Sequence, residues 1–187
     1  MESSTTLEII NKIENLGIKF IDYSTLSKIT QNYNQNSIQK IISRLQQKNI
    51  LQKLYNGKYL YTKSKTTDFE TANYLYQPSY ISLQSALSFY GILPQFVYSI
   101  TSITTKKTRA LITQNKEFTY GHITASLFHH YTKTNNFLIA LPEKALFDSL
   151  YMASKGLISL DINELDLSII NKTIFKKLCK NYPKLKL

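Results

Sequence analysis

Asn36–Tyr61 reads NSIQKIISRLQQKNILQKLYNGKYLY, and its pattern decides how the first third of the chain folds. Ile38, Ile41, Ile42 and Leu45 recur at i, i+3, i+4 and i+7, the spacing of one face of an α-helix. The spacing predicts a helix from Asn36 to about Lys48. At about 100° per residue, the opposite face collects Asn36, Gln39, Lys40, Ser43, Arg44 and Gln47. That face holds amides, a hydroxyl and bases, but no carboxylate. An exposed helix ordinarily carries Glu or Asp, because i to i+4 ion pairs stabilise it. Their absence suits a helix lying along phosphates and base edges, where a carboxylate would be repelled. Leu51–Tyr55 and Lys58–Tyr61 then flank Asn56-Gly57, the dipeptide that a two-residue type I′ turn prefers, so a β-hairpin follows the helix.

Upstream, Thr5 and Glu8 stand at capping-box spacing ahead of Ile9, Ile10, Ile13 and Leu16, with Gly17 in the place of a C-cap glycine. Asp22 is positioned to cap a short second helix carrying Leu26 and Ile29. Three helices followed by a tight basic hairpin outline a winged helix-turn-helix over residues 1–65, in which the third helix enters the major groove. Lys40, Arg44, Lys53 and Lys58 are expected on phosphates. Asn36, Ser37, Gln39 and Ser43, near the helix start, are expected to read bases, since Gln and Asn pair with adenine in bidentate fashion. Gln47 and Asn56 complete the expected DNA-facing set. The competing reading is a helical module that only makes protein contacts.

Composition agrees with a polyanionic partner. Lys and Arg number 23 against 12 Asp and Glu, a formal net charge of +11 over 187 residues. The hydrophobic share of 43% is enough for a core. No apolar run approaches the ~18 residues of a spanning helix, and no secretory leader opens the sequence. A cytoplasmic protein without a membrane partner is expected. Cys179 is the only cysteine, which excludes an intramolecular disulfide and a thiolate metal cage.

Residues 66–187 read as a small mixed α/β domain, making the whole chain α+β. Thr62–Thr67 is a polar linker, and Asp68–Tyr76 a short helix broken before Pro78. Ser82 is a candidate N-cap for a helix with Leu83, Ala86, Leu87 and Tyr90 on one stripe and Gly91 at its end. β-Prone segments follow at Val97–Thr105, Arg109–Thr113, Phe118–His122 and Phe137–Leu141. Pro142 opens a helix through Ala145, Leu146, Leu150 and Ala153, with Glu143 explained by the helix dipole. A last helix, Thr173–Tyr182, is expected to bury Ile174, Phe175 and Leu178.

Four ordered blocks of this half resemble the core of AbiEi-type antitoxins, the antitoxin members of AbiE-like toxin–antitoxin pairs. They are YISLQSALSFYG (Tyr80–Gly91), SITSITTKKTR (Ser99–Arg109), FTYGHI (Phe118–Ile123) and FLIALPEKALFDSLY (Phe137–Tyr151). The resemblance covers about Tyr74 to Ala153, and the tail after Lys155 matches less clearly. It implies a bacterial autorepressor that binds inverted repeats at its own promoter with two copies of the winged helix. It further implies a C-terminal domain that counters a nucleotidyltransferase-like toxin, with or without touching it, in phage defence. SITTKKTR corresponds to a basic segment of that domain. Lys106, Lys107 and Arg109 are carried over as contacts to DNA backbone or RNA; a solvated basic edge strand is the other reading of the same residues.

Enzymatic readings find little support in the residues. His122, His129 and His130 show no zinc-ligand spacing, and the adjacent pair is expected as partly exposed rings near Phe128 and Tyr131. Glu143 and Asp148 diverge by about 140° on a helix, while Asp161, Glu164 and Asp166 suit a loop rim as well as a metal site. A DNA-directed metal nuclease is the third-ranked reading. No phosphate-binding glycine loop or nucleophile elbow occurs, and no catalytic residue, metal or cofactor is expected. Cys179, next to Lys176 and Lys177, is expected to be structural. Most of the 14 Tyr and 9 Phe are assigned to packing rather than base stacking.

Overall fold

The computed structural model describes residues 2–31, 33–95, 97–113, 116–180 and 182, with backbone alone at 2–5. The protein is α+β and divides into two compact units, residues 1–67 and 68–187. Among the described residues, no helix is long and apolar enough to cross a membrane.

The first unit runs α1 (Glu2–Asn15), β1 (Phe20–Asp22), α2 (Tyr23–Thr30), α3 (Gln35–Gln47), β2 (Leu51–Tyr55) and β3 (Lys58–Tyr61). Its core gathers Ile9 and Ile13 of α1, Leu26 and Ile29 of α2, Ile38, Ile41, Ile42 and Leu45 of α3, and Ile21, Leu51 and Tyr61 of the sheet. α1 starts upstream of Thr5, so the Thr5–Glu8 spacing lies inside the helix and is not its cap. Leu16 is exposed at 66%, because the helix ends at Asn15 and leaves it beyond the stripe. Gly17, at φ +60°, reverses the chain, and the Ile18 N–H returns to the Ile13 carbonyl at 3.0 Å. Tyr61 and Lys63 both donate to the Glu14 carboxylate, tying the end of α1 to the end of β3. Their bonds hold that carboxyl below its ordinary value.

The sheet has three antiparallel strands in the order β1-β3-β2. The sequence pattern did not announce β1, which is three residues long and takes its pairing from β3: Phe20 opposes Leu60 and Asp22 opposes Lys58. The hairpin is not closed by a type I′ turn. That turn needs positive φ at both central residues, and of Asn56 and Gly57 only Gly57, at +68°, has it. The register instead slips between Lys53 and Tyr55. Leu51 and Leu54 are both buried, three residues apart, and a regular strand would send them to opposite faces. The bulge falls at Leu54, which is buried but lies outside the core cluster that Leu51 joins.

The second unit is built on a mixed six-stranded sheet of order β6-β7-β5-β4-β9-β8. These strands are β4 (Ser79–Ile81), β5 (Ile100–Thr104), β6 (Arg109–Thr113), β7 (Lys116–His122), β8 (Tyr131–Thr134) and β9 (Phe137–Ala140). β5 runs parallel to β7 and β4 parallel to β9, while the other pairs are antiparallel. All five residues of β5 are buried, as expected of a strand covered on both faces. The Tyr120 hydroxyl on one face donates to the Ala72 carbonyl of α4 (Asp68–Leu75) at 2.7 Å. On the other face lie α5 (Leu83–Phe89) and α6 (Pro142–Ser154). There Gly121 leaves room for Met152 of α6, whose Cε would stand 2.8 Å from an added Cβ. Ser85 and Thr101 clamp α5 to β5 by exchanging backbone N–H to hydroxyl bonds of 3.0 and 2.8 Å.

α6 departs most from expectation. Ten consecutive residues, Glu143 to Met152, are buried, so the helix has no solvent face over that stretch. Glu143 does more than meet a helix dipole, since its carboxylate accepts the Asn171 N–H at 2.8 Å and anchors the tail. Lys144 and Asp148, one turn apart and both without exposure, form an ion pair inside the unit. Tyr80 and Ser82 donate to the other Asp148 oxygen at 2.9 and 2.8 Å. Ser82 therefore spends its hydroxyl on α6 and makes no side-chain cap for α5. Burial pushes the Asp148 carboxyl upward, against the pull of Lys144 and the two hydroxyls. The Lys144 ammonium also lies over the Phe147 ring, 4.8 Å from its centroid. In the tail, α7 (Lys172–Leu178) ends short of the expected Tyr182 and buries only Phe175 of the three residues expected, leaving Ile174 39% exposed and Leu178 half-buried.

Two stability measurements check this description. Gly57→Val meets no atom within 4 Å yet must adopt positive φ, so urea denaturation of the protein should show a loss of about 1–3 kcal/mol in the first unit. Asp148→Ala strands the Lys144 ammonium and should cost about 3–5 kcal/mol. The apolar pair Lys144→Met with Asp148→Leu should be less damaging than that single change. A double variant weaker than Asp148→Ala would show that the ion pair itself stabilises the fold.

Candidate nucleic-acid interface

α3 is held at both ends and along one side. The Asn34 side chain accepts the Ser37 N–H at 2.9 Å, and the Ile50 N–H returns to the Leu45 carbonyl at 2.8 Å. Its apolar stripe is buried throughout, with Ile38 and Leu45 wholly inaccessible. α2 is capped by Asp22, which accepts the N–H and the hydroxyl of Thr25, both at 2.8 Å. Between the two helices the chain turns at Gln31, φ +45°.

The stripe's burial leaves the other side of α3 in solvent. Asn36, Gln39, Lys40, Ser43 and Gln47 are exposed, as are Lys53 and Asn56 of the hairpin. Arg44 is half-buried at the edge of this face. Two further residues expected there are also less available. Ser37 is half-buried beside its cap, and Lys58 is half-buried opposite Asp22. Burial acts to raise the Asp22 carboxyl, but the Thr25 and Ser24 hydrogen bonds and the Lys58 charge outweigh it and hold it below its ordinary value. Lys58 thus shares its charge with the cap of α2.

The electrostatic bias extends well past α3. From Tyr23 through Thr67 the sequence has no Asp or Glu, against Lys28, Lys40, Arg44, Lys48, Lys53, Lys58, Lys63 and Lys65. Such a stretch attracts an anionic partner whatever its detailed contacts. Tyr33, 42% exposed just before α3, belongs to the same surface and has no period-based signal to mark it.

The second unit carries a separate basic concavity of about 720 Å³, lined by Tyr76, Thr105, Lys106, Lys107, Thr108, Arg109 and His122. It lies where the parallel strands β5 and β7 end, at Thr104 and His122. Lys106 and Arg109 approach the Tyr76 ring to 5.6 and 5.2 Å from its centroid. The Tyr76 hydroxyl donates to the Lys107 carbonyl at 3.1 Å, and the ring meets Tyr120 edge-on at 5.1 Å. His122 Nδ1 stands 2.9 Å from the Lys106 carbonyl, which only accepts, so Nδ1 is the protonated nitrogen. The sheet therefore gathers Lys106, Lys107 and Arg109 on one wall. Tyr76 and His122, the companions sequence reasoning missed, come from the residue just past α4 and from the end of β7.

Residues weighed for catalysis are engaged locally. Asp161 accepts from Asn163, Asp166 from Ser168, and Glu164 from Gln95. His129 and His130 meet ring to ring, beside the Phe128–Tyr131–Tyr80 aromatic cluster. Cys179 is half-buried, and burial raises its thiol pKa, the opposite of an activated nucleophile. Among the described residues, no three His, Cys, Asp or Glu side chains converge as a metal site.

No family model matches the chain, and no curated protein matches it.

Removing the Asn34 cap tests how α3 is placed. Asn34→Ala should cost about 1 kcal/mol, read from the urea midpoint, and Asn34→Asp should restore most of it. An unchanged midpoint would show that packing alone holds the helix start.

Proposed function

We propose that residues 1–67 are a winged helix-turn-helix that binds duplex DNA, and that the protein is an AbiEi-type antitoxin that represses its own operon. The reading rests above all on α3, a helix whose apolar side is fully buried and whose outer side offers amides, hydroxyls and cations without a carboxylate. Four residues join α2 to α3, a length suited to a helix-turn-helix. α3 then serves as the recognition helix in the major groove, with Asn36, Gln39 and Ser43 at base edges and Lys40, Arg44 and Gln47 on the backbone. The hairpin is the wing, carrying Lys53 and Asn56 to the flanking phosphates. Two copies bind an inverted repeat in the promoter. The second unit supplies the antitoxic activity against a nucleotidyltransferase-like toxin, a role supported by the four sequence blocks between Tyr80 and Tyr151.

The test is an anisotropy titration against the operon's own promoter duplex, with a scrambled duplex as control, at several salt concentrations. Promoter-specific binding that weakens steeply with salt is expected. Lys40→Glu with Arg44→Glu should weaken it by more than ~10-fold and flatten the log–log salt slope by about 2, at unchanged urea midpoint. Equal, weak binding to both duplexes would leave a protein-contact role for the first unit.

A further inference from the structure

We infer that the concavity at the carboxyl ends of β5 and β7 binds an unpaired nucleoside phosphate, either as a free nucleotide or as the exposed end of a single strand. The concavity lies where the parallel strands β5 and β7 finish side by side, at Thr104 and His122, and the segment Thr105–Thr108 that leads from β5 to β6 forms part of its wall.

The chemistry of the walls narrows the ligand. Lys106, Lys107 and Arg109 are exposed, and no carboxylate lines the crevice. This favours an anion, and three cations between Lys106 and Arg109, at the turn into β6, suit the several oxygens of a phosphate. The Tyr76 ring adds what a bare phosphate does not need. It is fixed from behind by Tyr120 and by its own hydroxyl bond to Lys107, and Arg109 and Lys106 layer onto it. A guanidinium plane backed by an aromatic ring is a stacking platform for a base. His122 closes the far wall, with Nε2 left free because Nδ1 is committed to the Lys106 carbonyl. At about 720 Å³ the crevice has the volume of a small-ligand site and accommodates one nucleotide. A base within a duplex is stacked on both sides and cannot use such a platform, so the site discriminates against paired strands. None of its residues belongs to the α3 surface, so this inference stands independently of the duplex-binding reading.

The experiment uses the full chain and a 5′-fluorescein deoxythymidine hexamer, followed by anisotropy, with AMP, ribose 5-phosphate and inorganic phosphate as competitors. The hexamer should bind, and Lys106→Glu with Arg109→Glu should weaken it by more than ~10-fold. Tyr76→Leu should weaken it on the order of 5-fold or more, while Tyr76→Phe, which keeps the ring, stays within about 2-fold. Displacement by AMP at lower concentration than by ribose 5-phosphate assigns the site to free nucleotide. Displacement only by unlabelled hexamer assigns it to a strand end. Lys40→Glu with Arg44→Glu should leave these results unchanged, so failure of the duplex reading and failure of this one are separable. Two results overturn the inference: a hexamer affinity indifferent to Tyr76→Leu, or ribose 5-phosphate competing as well as AMP.

Discussion

Ile38, Ile41, Ile42 and Leu45 occupy one side of a single helix, and burying them decides the arrangement of the first unit. Burial of such side chains is worth about 1.5–3 kcal/mol each. They pack with residues of α1, α2 and all three strands, β1, β2 and β3. Once the stripe is covered, rotation of α3 about its axis is no longer free. The amides and cations between Asn36 and Gln47 must face solvent, and no Asp or Glu from Tyr23 to Thr67 offsets their charge. The hairpin contributes Leu51 and Tyr61 to the same core.

The second unit obeys a different constraint. α6 lies so deep that its polar residues had to find partners inside, since a buried, unpaired charge is far more costly than a paired one. Lys144 and Asp148 satisfy each other, and Tyr80 and Ser82 complete the carboxylate. The network joins β4, the start of α5 and α6, three elements that the sheet alone connects only along its strands. Its geometry explains why Ser82, placed where a cap belongs, points elsewhere.

The two surfaces assigned to nucleic acid differ in construction. The α3 face is long, convex and regular, with side chains at helical intervals, a form suited to a groove. The crevice at the ends of β5 and β7 is concave and built from a turn, a strand end and the residue after a helix. Its cations are layered on an aromatic ring rather than spaced along an axis. One protein thus presents a long, regular polar helix face and a compact basic crevice, two surfaces with different geometric demands on a ligand.

Much of this was legible in the residues themselves. The stripes of α3 and α2, the Asp22 cap, the Gly17 and Gly91 stops, Pro142 at the start of α6 and the Asn56-Gly57 reversal are local matters, governed by side chains within a turn or two of one another. The exposed face of α3 followed from the same period. What needed tertiary structure was everything set by distant partners. β1 and β4 are three residues each and exist as strands because β3 and β5 pair with them. The type I′ expectation gave way to a turn with positive φ at Gly57 alone and a register shift between Lys53 and Tyr55. Lys144–Asp148 looks in sequence like any solvated i to i+4 pair, and only the covering of α6 on all sides turns it into a buried one. Tyr76, Lys106, Arg109 and His122 are spread over 47 residues of chain and meet because strands β5 and β7 run parallel and end together. Periodicity and capping act over a few residues and can be read directly; pairing, burial and convergence depend on which segments the fold brings side by side.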